Sequence, residues 1–427
     1  MLKKILMYSI VFTIILLNIN KVEAQPSILS KTAVLIDTES GTILANKDAN
    51  KKMYPASLTK IMTAIIAIEM GNLTDVITVD DDTPYEIDGS HVALKPGEIL
   101  TLKDLLYALM LPSANDAASA IAKHYGKNTE SFVKLMNDKA KELGAYNTNF
   151  VNPHGLHDDN HYTTAYDLAL ITKYAMQNEI FRNIVSTQKY EIKPTNKEPE
   201  SRPFTNLNKM LYCGSSNQIY VDGMWISPLY ENTTGVKTGY TPEAGYTLVA
   251  SAKKNNTELI AVVLNGVSLE MYQDAHNLFN YGFESYQSST LAYKNTFIQN
   301  LTIKNGDNKE ISLITENDFT ALIEKNSISN VQSKVILNDI TLPLNKNDVV
   351  GKIEYSLDGK ILGSVNLITP TTVNSTLTES TGINPIFMTL LKSVFVLALI
   401  IFAFRIYNNI RIKINRKKRR RKYRVDI

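Results

Sequence analysis

Between Tyr54 and Met70 the apolar residues Leu58, Ile61, Ile65 and Ile68 recur at spacings of three and four, with Ile66 and Ala67 widening the stripe. That spacing predicts a helix buried inside a domain rather than one lying on its surface. Gly71-Asn72 ends it. Pro55 lies just before its start, which puts Ser57 in the first turn, among backbone N–H groups that lack partners within the helix. Apolar alternation around Ala33-Val34-Leu35-Ile36 and Thr42-Ile43-Leu44, split by Asp37-Thr38-Glu39-Ser40-Gly41, predicts a β-hairpin over 30–45. A second strand pair is predicted over 246–252 and 259–264, on either side of Lys253-Lys254-Asn255-Asn256-Thr257. Helical stretches are expected over 101–124, 130–143 and 164–178. Strands at both ends with helices between them predict one α/β unit whose terminal strands share a sheet.

From 290 to 370 the pattern changes to short runs over 333–337, 340–344, 350–355 and 363–368, with Asp358-Gly359 as a hairpin turn between the last two. This predicts a small all-β domain. A Ser/Thr-rich linker, 371–382, then leads to an apolar stretch over 383–406, interrupted by Asn384, Thr389, Lys392, Ser393 and Arg405. Its length suits a bilayer core of roughly 30 Å at about 1.5 Å per residue. Lys392 opposes a span and leaves an in-plane amphipathic anchor as the alternative, whereas Ser393–Phe404 carries no charge.

Charge alters the picture only at the end of the chain. The 427 residues carry a net charge of +3, yet residues 405–427 hold eleven Lys or Arg against one Asp, a net of +10 that leaves about −7 for the rest. Behind an apolar stretch, Arg416-Lys417-Lys418-Arg419-Arg420-Arg421-Lys422 fits the cytoplasmic side of a membrane better than nucleic acid. At the other end, Lys3 and Lys4, an apolar run from Ile5 to Leu17 and Val22-Glu23-Ala24 predict a signal peptide over 1–24, with an uncleaved anchor as the alternative. The lone cysteine, Cys213, excludes an internal disulfide and any multi-cysteine metal site.

The candidate chemistry starts at Ser57. Lys60 lies three residues on, hence on the same helix face, and a lysine in apolar surroundings is expected to lose its proton and serve as a base for the serine. Ser-x-x-Lys alone says little, for it occurs four times and also reads as a capping serine with a solvated lysine. Two further motifs narrow it: Ser113-Ala114-Asn115, 56 residues beyond Ser57, and the chain's sole Lys-Thr-Gly at Lys237-Thr238-Gly239, 124 residues beyond Ser113. His154, His157 and His161 with Asp158 and Asp159 offer zinc-type ligands, but they sit in a loop and a serine mechanism needs no metal, so neither metal nor cofactor is expected.

The three motifs in this order resemble those of penicillin-binding proteins and class A β-lactamases. More narrowly the chain resembles the D-alanyl-D-alanine carboxypeptidases of the low-molecular-weight penicillin-binding proteins. The likeness runs over 30–285, through Tyr54-Pro55-Ala56-Ser57, Leu94-Lys95-Pro96-Gly97-Glu98, Ser113-Ala114-Asn115-Asp116, Asn152-Pro153-His154-Gly155 and Gly235-Val236-Lys237-Thr238-Gly239-Tyr240. It implies a transpeptidase-like domain over 25–286, an antiparallel sheet with helices on both faces, followed by a β-domain acting as spacer or platform. The resemblance further implies Ser57 as nucleophile, Lys60 as base and Ser113 as proton relay. Asn115, Lys237 and Thr238 would hold substrate, and the backbone N–H groups of Ser57 and Tyr240 would form the oxyanion hole. The implied partners are D-Ala-D-Ala stem peptides of peptidoglycan, β-lactams as inhibitors, and a membrane, with the catalytic domain outside and 407–427 in the cytoplasm. A class A β-lactamase would need a glutamate for deacylation, and 146–178 has none. A silent penicillin-binding sensor or scaffold is the remaining rival. One departure from the family is about twenty extra residues over 212–232, including Trp225, which read as a surface loop or, alternatively, as a wall of the cleft.

Overall fold

The computed structural model describes residues 25–85, 88–212, 216–376 and 385–422. The predicted signal peptide and Cys213 lie outside the described residues. The chain divides into two compact units, the first built from the chain up to Tyr293 with Asp318–Lys334 and Glu354–Ser364, the second from Lys294–Asn317, Val335–Ile353 and the chain from Val365 onward.

In the first unit five strands run in the order Ile43–Lys47, Thr32–Asp37, Thr257–Gly266, Gly245–Lys254, Thr233–Thr241, each antiparallel to its neighbour. The earliest strand pairs with one more than two hundred residues later, in a register that sets Val34 opposite Val262. Successive side chains point to opposite faces. Val34, Ile36, Val249 and Val262 therefore enter one core, while Ala33, Leu35, Leu248 and Val263 enter another. Both faces are covered, so the expected alternation is in fact a continuous buried run, with every residue of Thr32–Asp37 buried. The helix Glu270–Ser285 covers the second face through Met271, Ala275, Leu278 and Phe279.

The first face packs on the central helix, Lys60–Met70, whose residues from Lys60 to Ile68 are all buried. Each of its Ile side chains so buried contributes on the order of 1.5–3 kcal/mol. The helix is entered through a 3₁₀ turn, Ala56–Thr59, so Ser57 sits on that turn and Lys60 opens the α-helix proper. The expected helix over 101–124 is two helices, Leu102–Met110 and Asn115–Gly126. Pro112 removes a backbone donor, and Ser113 then turns the chain with φ +68°. Two helices escaped the sequence reading, Glu179–Ser186 and Glu270–Ser285. The residues over 212–232 are not a bare loop: Ile219–Val221 pairs with Met224–Ile226, and Ile219 and Val221 enter the second core.

Further along, Phe297–Thr302, Glu310–Thr315, Lys360–Ile368, Val349–Leu357 and Gln332–Leu337 form a second five-stranded sheet in that order, and Tyr286–Ala292 pairs with Phe319–Glu324. Asp358 (φ +48°) and Gly359 (φ +79°) make the tight turn between two of these strands. The expected strand over 340–344 is absent, leaving a single bridge from Leu344 to Val373; Pro343 cannot donate to a ladder. The terminal helix, Pro385–Lys422, runs on past 406 into the basic segment. Among the described residues it is the one helix long and apolar enough to cross a membrane.

Candidate active site

Local sequence places Ser57, the candidate nucleophile. Ala56 adopts φ +48°, and the 3₁₀ turn after it carries Ser57 to within 2.9 Å of the Lys60 Nζ. Lys60 is fully buried. Burial drives its pKa well below the ordinary lysine value, and the nearby Lys237 lowers it further, against an opposing effect of Asp116. Its Nζ also donates to Asn115 Oδ1 and to the His154 carbonyl oxygen, each at 2.7 Å. Both of these are oxygen acceptors that consume the two N–H bonds of a neutral amine. The lone pair is then left facing Ser57 Oγ, the orientation needed to accept the hydroxyl proton.

Each partner of Lys60 is itself held. Asn115 opens the helix after the Pro112 break, and its Nδ2 donates to the Asp88 carbonyl at 2.6 Å. Asp116 accepts from the backbone N–H groups of Val92 and Leu94, which ties down the same segment. The His154 carbonyl is presented by a turn in which Asn152 Oδ1 accepts from Gly155 N at 2.7 Å, and Thr63 Oγ1 anchors Pro153 at 2.6 Å. Gly155 (φ +90°) lies against the nucleophile turn, so that a Cβ there would stand 1.9 Å from the Ala56 carbonyl.

Ser113 lines the same cavity as Ser57, is 3% exposed, and its Oγ has no hydrogen-bond partner among the described residues. A buried hydroxyl without a partner and a non-glycine residue at positive φ each cost on the order of 1–3 kcal/mol. Both costs fall on one residue facing the nucleophile's cavity.

The third motif forms the edge strand of the sheet. Thr238, Gly239 and Tyr240 line the cavity with Ser57 and Ser113. A side chain at Gly239 would come 2.9 Å from Ser57 N, so only glycine lets this strand lie so near the nucleophile's backbone donor. Thr247, opposite Gly239, donates to the Pro55 carbonyl and joins the sheet to the same turn. Lys237 is buried, with its pKa lowered to about 7 by desolvation, and its Nζ donates to the Thr238 carbonyl at 3.0 Å. Lys237 and Asn115 do not line the cavity directly; Thr238 does.

The cavity, about 420 Å³, takes in residues that no motif announced, among them Lys209, Tyr246, Ser268 and Tyr272. Asn217, from the 212–232 segment, also lines it, so that segment contributes to the cleft. A cavity of about 690 Å³ elsewhere, lined by Glu39, Asn256, Tyr286 and Thr320, holds no serine within reach of a buried lysine. Among the described residues no three His, Cys, Asp or Glu side chains are grouped to hold a metal. His161 Nε2 faces Thr59 Oγ1 at 2.9 Å, and burial pushes the pKa of His161 down to about 4 and that of His154 to about 3.

Comparison with known proteins identifies a family. Residues 19–268 match the family described as D-alanyl-D-alanine carboxypeptidase, and 286–375 match the C-terminal domain of penicillin-binding protein 5. The chain is 33% identical to the D-alanyl-D-alanine carboxypeptidase DacF of Bacillus subtilis, over 78% of this chain and 83% of that one. It is 32% identical to DacC of Escherichia coli, over 80% and 84%. Among solved structures, penicillin-binding protein 5 from Haemophilus influenzae superposes with a TM-score of 0.67 at 30% identity, covering 82% of this chain and 99% of that one.

Proposed function

The chain belongs to the D-alanyl-D-alanine carboxypeptidase family of serine peptidases, and from that premise we propose that it removes the terminal D-alanine from peptidoglycan stem peptides through an ester on Ser57. The observation that carries the reading is the buried Lys60 amine, whose two fixed acceptors leave its lone pair for the Ser57 hydroxyl.

The steps follow from the groups at hand. Ser57 Oγ attacks the carbonyl between the two D-alanines as Lys60 takes its proton. The developing oxyanion meets the backbone N–H groups of Ser57 and Tyr240, at the place where Gly239 lets strand and turn approach. Ser113, whose hydroxyl has no partner among the described residues, passes a proton to the departing D-alanine amine. Thr238 supplies a hydroxyl to the substrate's terminal carboxylate, while Lys237 behind it supplies positive charge. Asn115 meets the substrate amide by exchanging its Nδ2 bond to the Asp88 carbonyl. Water then attacks the ester. A β-lactam presents a similar carbonyl and carboxylate, and its acyl group stays on the serine. The β-lactamase alternative is not favoured by the family match.

For location, we propose domains over 25–286 and 290–370 outside the cell, a membrane helix from 383 to 406 and the basic end inside, supported by the apolar helix and the charge behind it. Mass spectrometry of the protein after incubation with penicillin tests the central claim. One adduct on the peptide containing Ser57 is expected, together with release of D-alanine from a pentapeptide. Label on another serine would overturn the assignment, and label without turnover would favour the sensor.

A further inference from the structure

The hairpin Ile219–Ile226, within the extra segment, borders a second concave surface that the proposed reaction does not use. Tyr220 and Trp225 stand opposite each other in the hairpin, hence on one face, with ring centroids 5.3 Å apart and exposures of 46% and 66%. Ile219 and Val221, pointing the other way, are buried. The aromatic pair is thus held outward by a hairpin anchored in the core. Tyr220 also lines a cavity of about 520 Å³ whose floor is the helix Glu270–Ser285. Gln273, Asn277 and Asn280 face this cavity at spacings of three and four. Asn277 Nδ2 is fixed on the Ser27 carbonyl and Asn280 Nδ2 on Asp222, which leaves their amide oxygens as oriented acceptors. Ser285, 3% exposed, lines the same cavity, and its Oγ has no hydrogen-bond partner among the described residues.

We propose that this surface binds the glycan strand that carries the stem peptide, a β-linked chain of N-acetylated amino sugars. The inference rests on the carboxypeptidase reading for the choice of polymer. A pyranose has an apolar C–H face and a rim of hydroxyl and acetamido groups. Exposed aromatic faces beside fixed planar amides and an unpartnered hydroxyl complement both. Asp222 and Glu284 on the cavity wall disfavour a polyanion and suit a neutral sugar chain. Placement agrees with this. The same helix that floors this cavity contributes Met271 and Tyr272 to the catalytic cavity, and Asn217, two residues before the hairpin, lines that cavity too. From Tyr272 to Asn280 the helix advances about 12 Å at 1.5 Å per residue. A peptide in the cleft and its parent strand on the aromatic face are therefore reachable together.

The test uses the full-length protein in detergent, a β-1,4-linked N-acetylglucosamine hexamer, and dextran as an unrelated sugar polymer, with binding followed by calorimetry. Hexamer binding without dextran binding is expected, weakened on the order of tenfold by Tyr220→Ala or Trp225→Ala and largely retained by Trp225→Phe. In parallel, kcat/KM for pentapeptide still linked to glycan should fall by a similar factor in the alanine variants, with free pentapeptide unchanged. Hexamer binding no better than dextran, or an equal loss on free and linked peptide, would overturn the proposal. Free-pentapeptide turnover by the unaltered protein tests the carboxypeptidase reading separately, since its absence alongside intact hexamer binding removes that reading alone.

Discussion

At the scale of single residues, the two buried lysines are coupled, and the coupling has a sign that can be measured. Lys60 works as a base only when neutral, so the acid limb of kcat/KM follows its pKa and activity is lost as pH falls through it. The charge of Lys237 lowers that pKa. Lys237→Ala removes the repulsion, lets the Lys60 ammonium form more readily, and so shifts the acid limb to higher pH. The same variant loses the positive charge behind Thr238. A peptide acid is expected to lose roughly ten- to a hundredfold in kcat/KM, the equivalent of a contact to a charged group, whereas the corresponding peptide amide, which has no carboxylate to hold, loses far less. Equal losses for both, with an unmoved acid limb, would show that Lys237 serves neither role. The motif spacing pointed to Lys60 and Lys237. It did not point to His154, whose contribution is a backbone carbonyl and is invisible in residue type.

Among elements, the nucleophile turn is positioned by packing with loops distant in sequence, and Gly155 is the tightest of these contacts. A methyl group there meets the Ala56 carbonyl, a backbone atom that cannot rotate away, and the residue would also be held at positive φ. Gly155→Ala should cost more than about 2 kcal/mol and should slow penicillin acylation by about a hundredfold, since small displacements at a reacting centre are that expensive. Gly359→Ala provides the comparison: its φ of +79° is similar, but nothing lies within 4 Å, so only backbone strain of about 1–2 kcal/mol applies. Thermal denaturation and the rate of labelling measure both variants. If Gly155→Ala acylates normally, the turn is not positioned by this contact. The helix Glu270–Ser285 shows why some elements escaped a reading by pattern. It carries Tyr and Asn among its apolar residues, and the sheet face that makes Met271 and Phe279 interior joins the neighbouring strands Gly245–Lys254 and Thr257–Gly266 to Thr32–Asp37, more than two hundred residues earlier.

For the whole molecule, the proposed orientation rests on the charge asymmetry and is open to test. Protease added to intact protoplasts should release a fragment containing the catalytic domain and leave a label on the C-terminal end protected, because the positive end behind an apolar helix stays inside. Loss of the label to external protease would instead favour a helix lying in the plane of the membrane. The described helix continues to Lys422, so the basic segment extends it rather than beginning a separate tail.

The sequence by itself determined the buried helix with Ser57 and Lys60 at its start, the two strand pairs and the later β-rich region. Each depends on local periodicity or on a turn residue whose backbone preference acts within a few positions. Tertiary structure alone decided that Lys60 has two fixed acceptors, that the Ser113 hydroxyl has no partner among the described residues, and that the hairpin Ile219–Ile226 shares a cavity with the helix Glu270–Ser285. The physical reason is distance along the chain. Lys60 lies 55 residues from Asn115 and 94 from His154, and no local preference encodes which atoms come within hydrogen-bond reach across such separations.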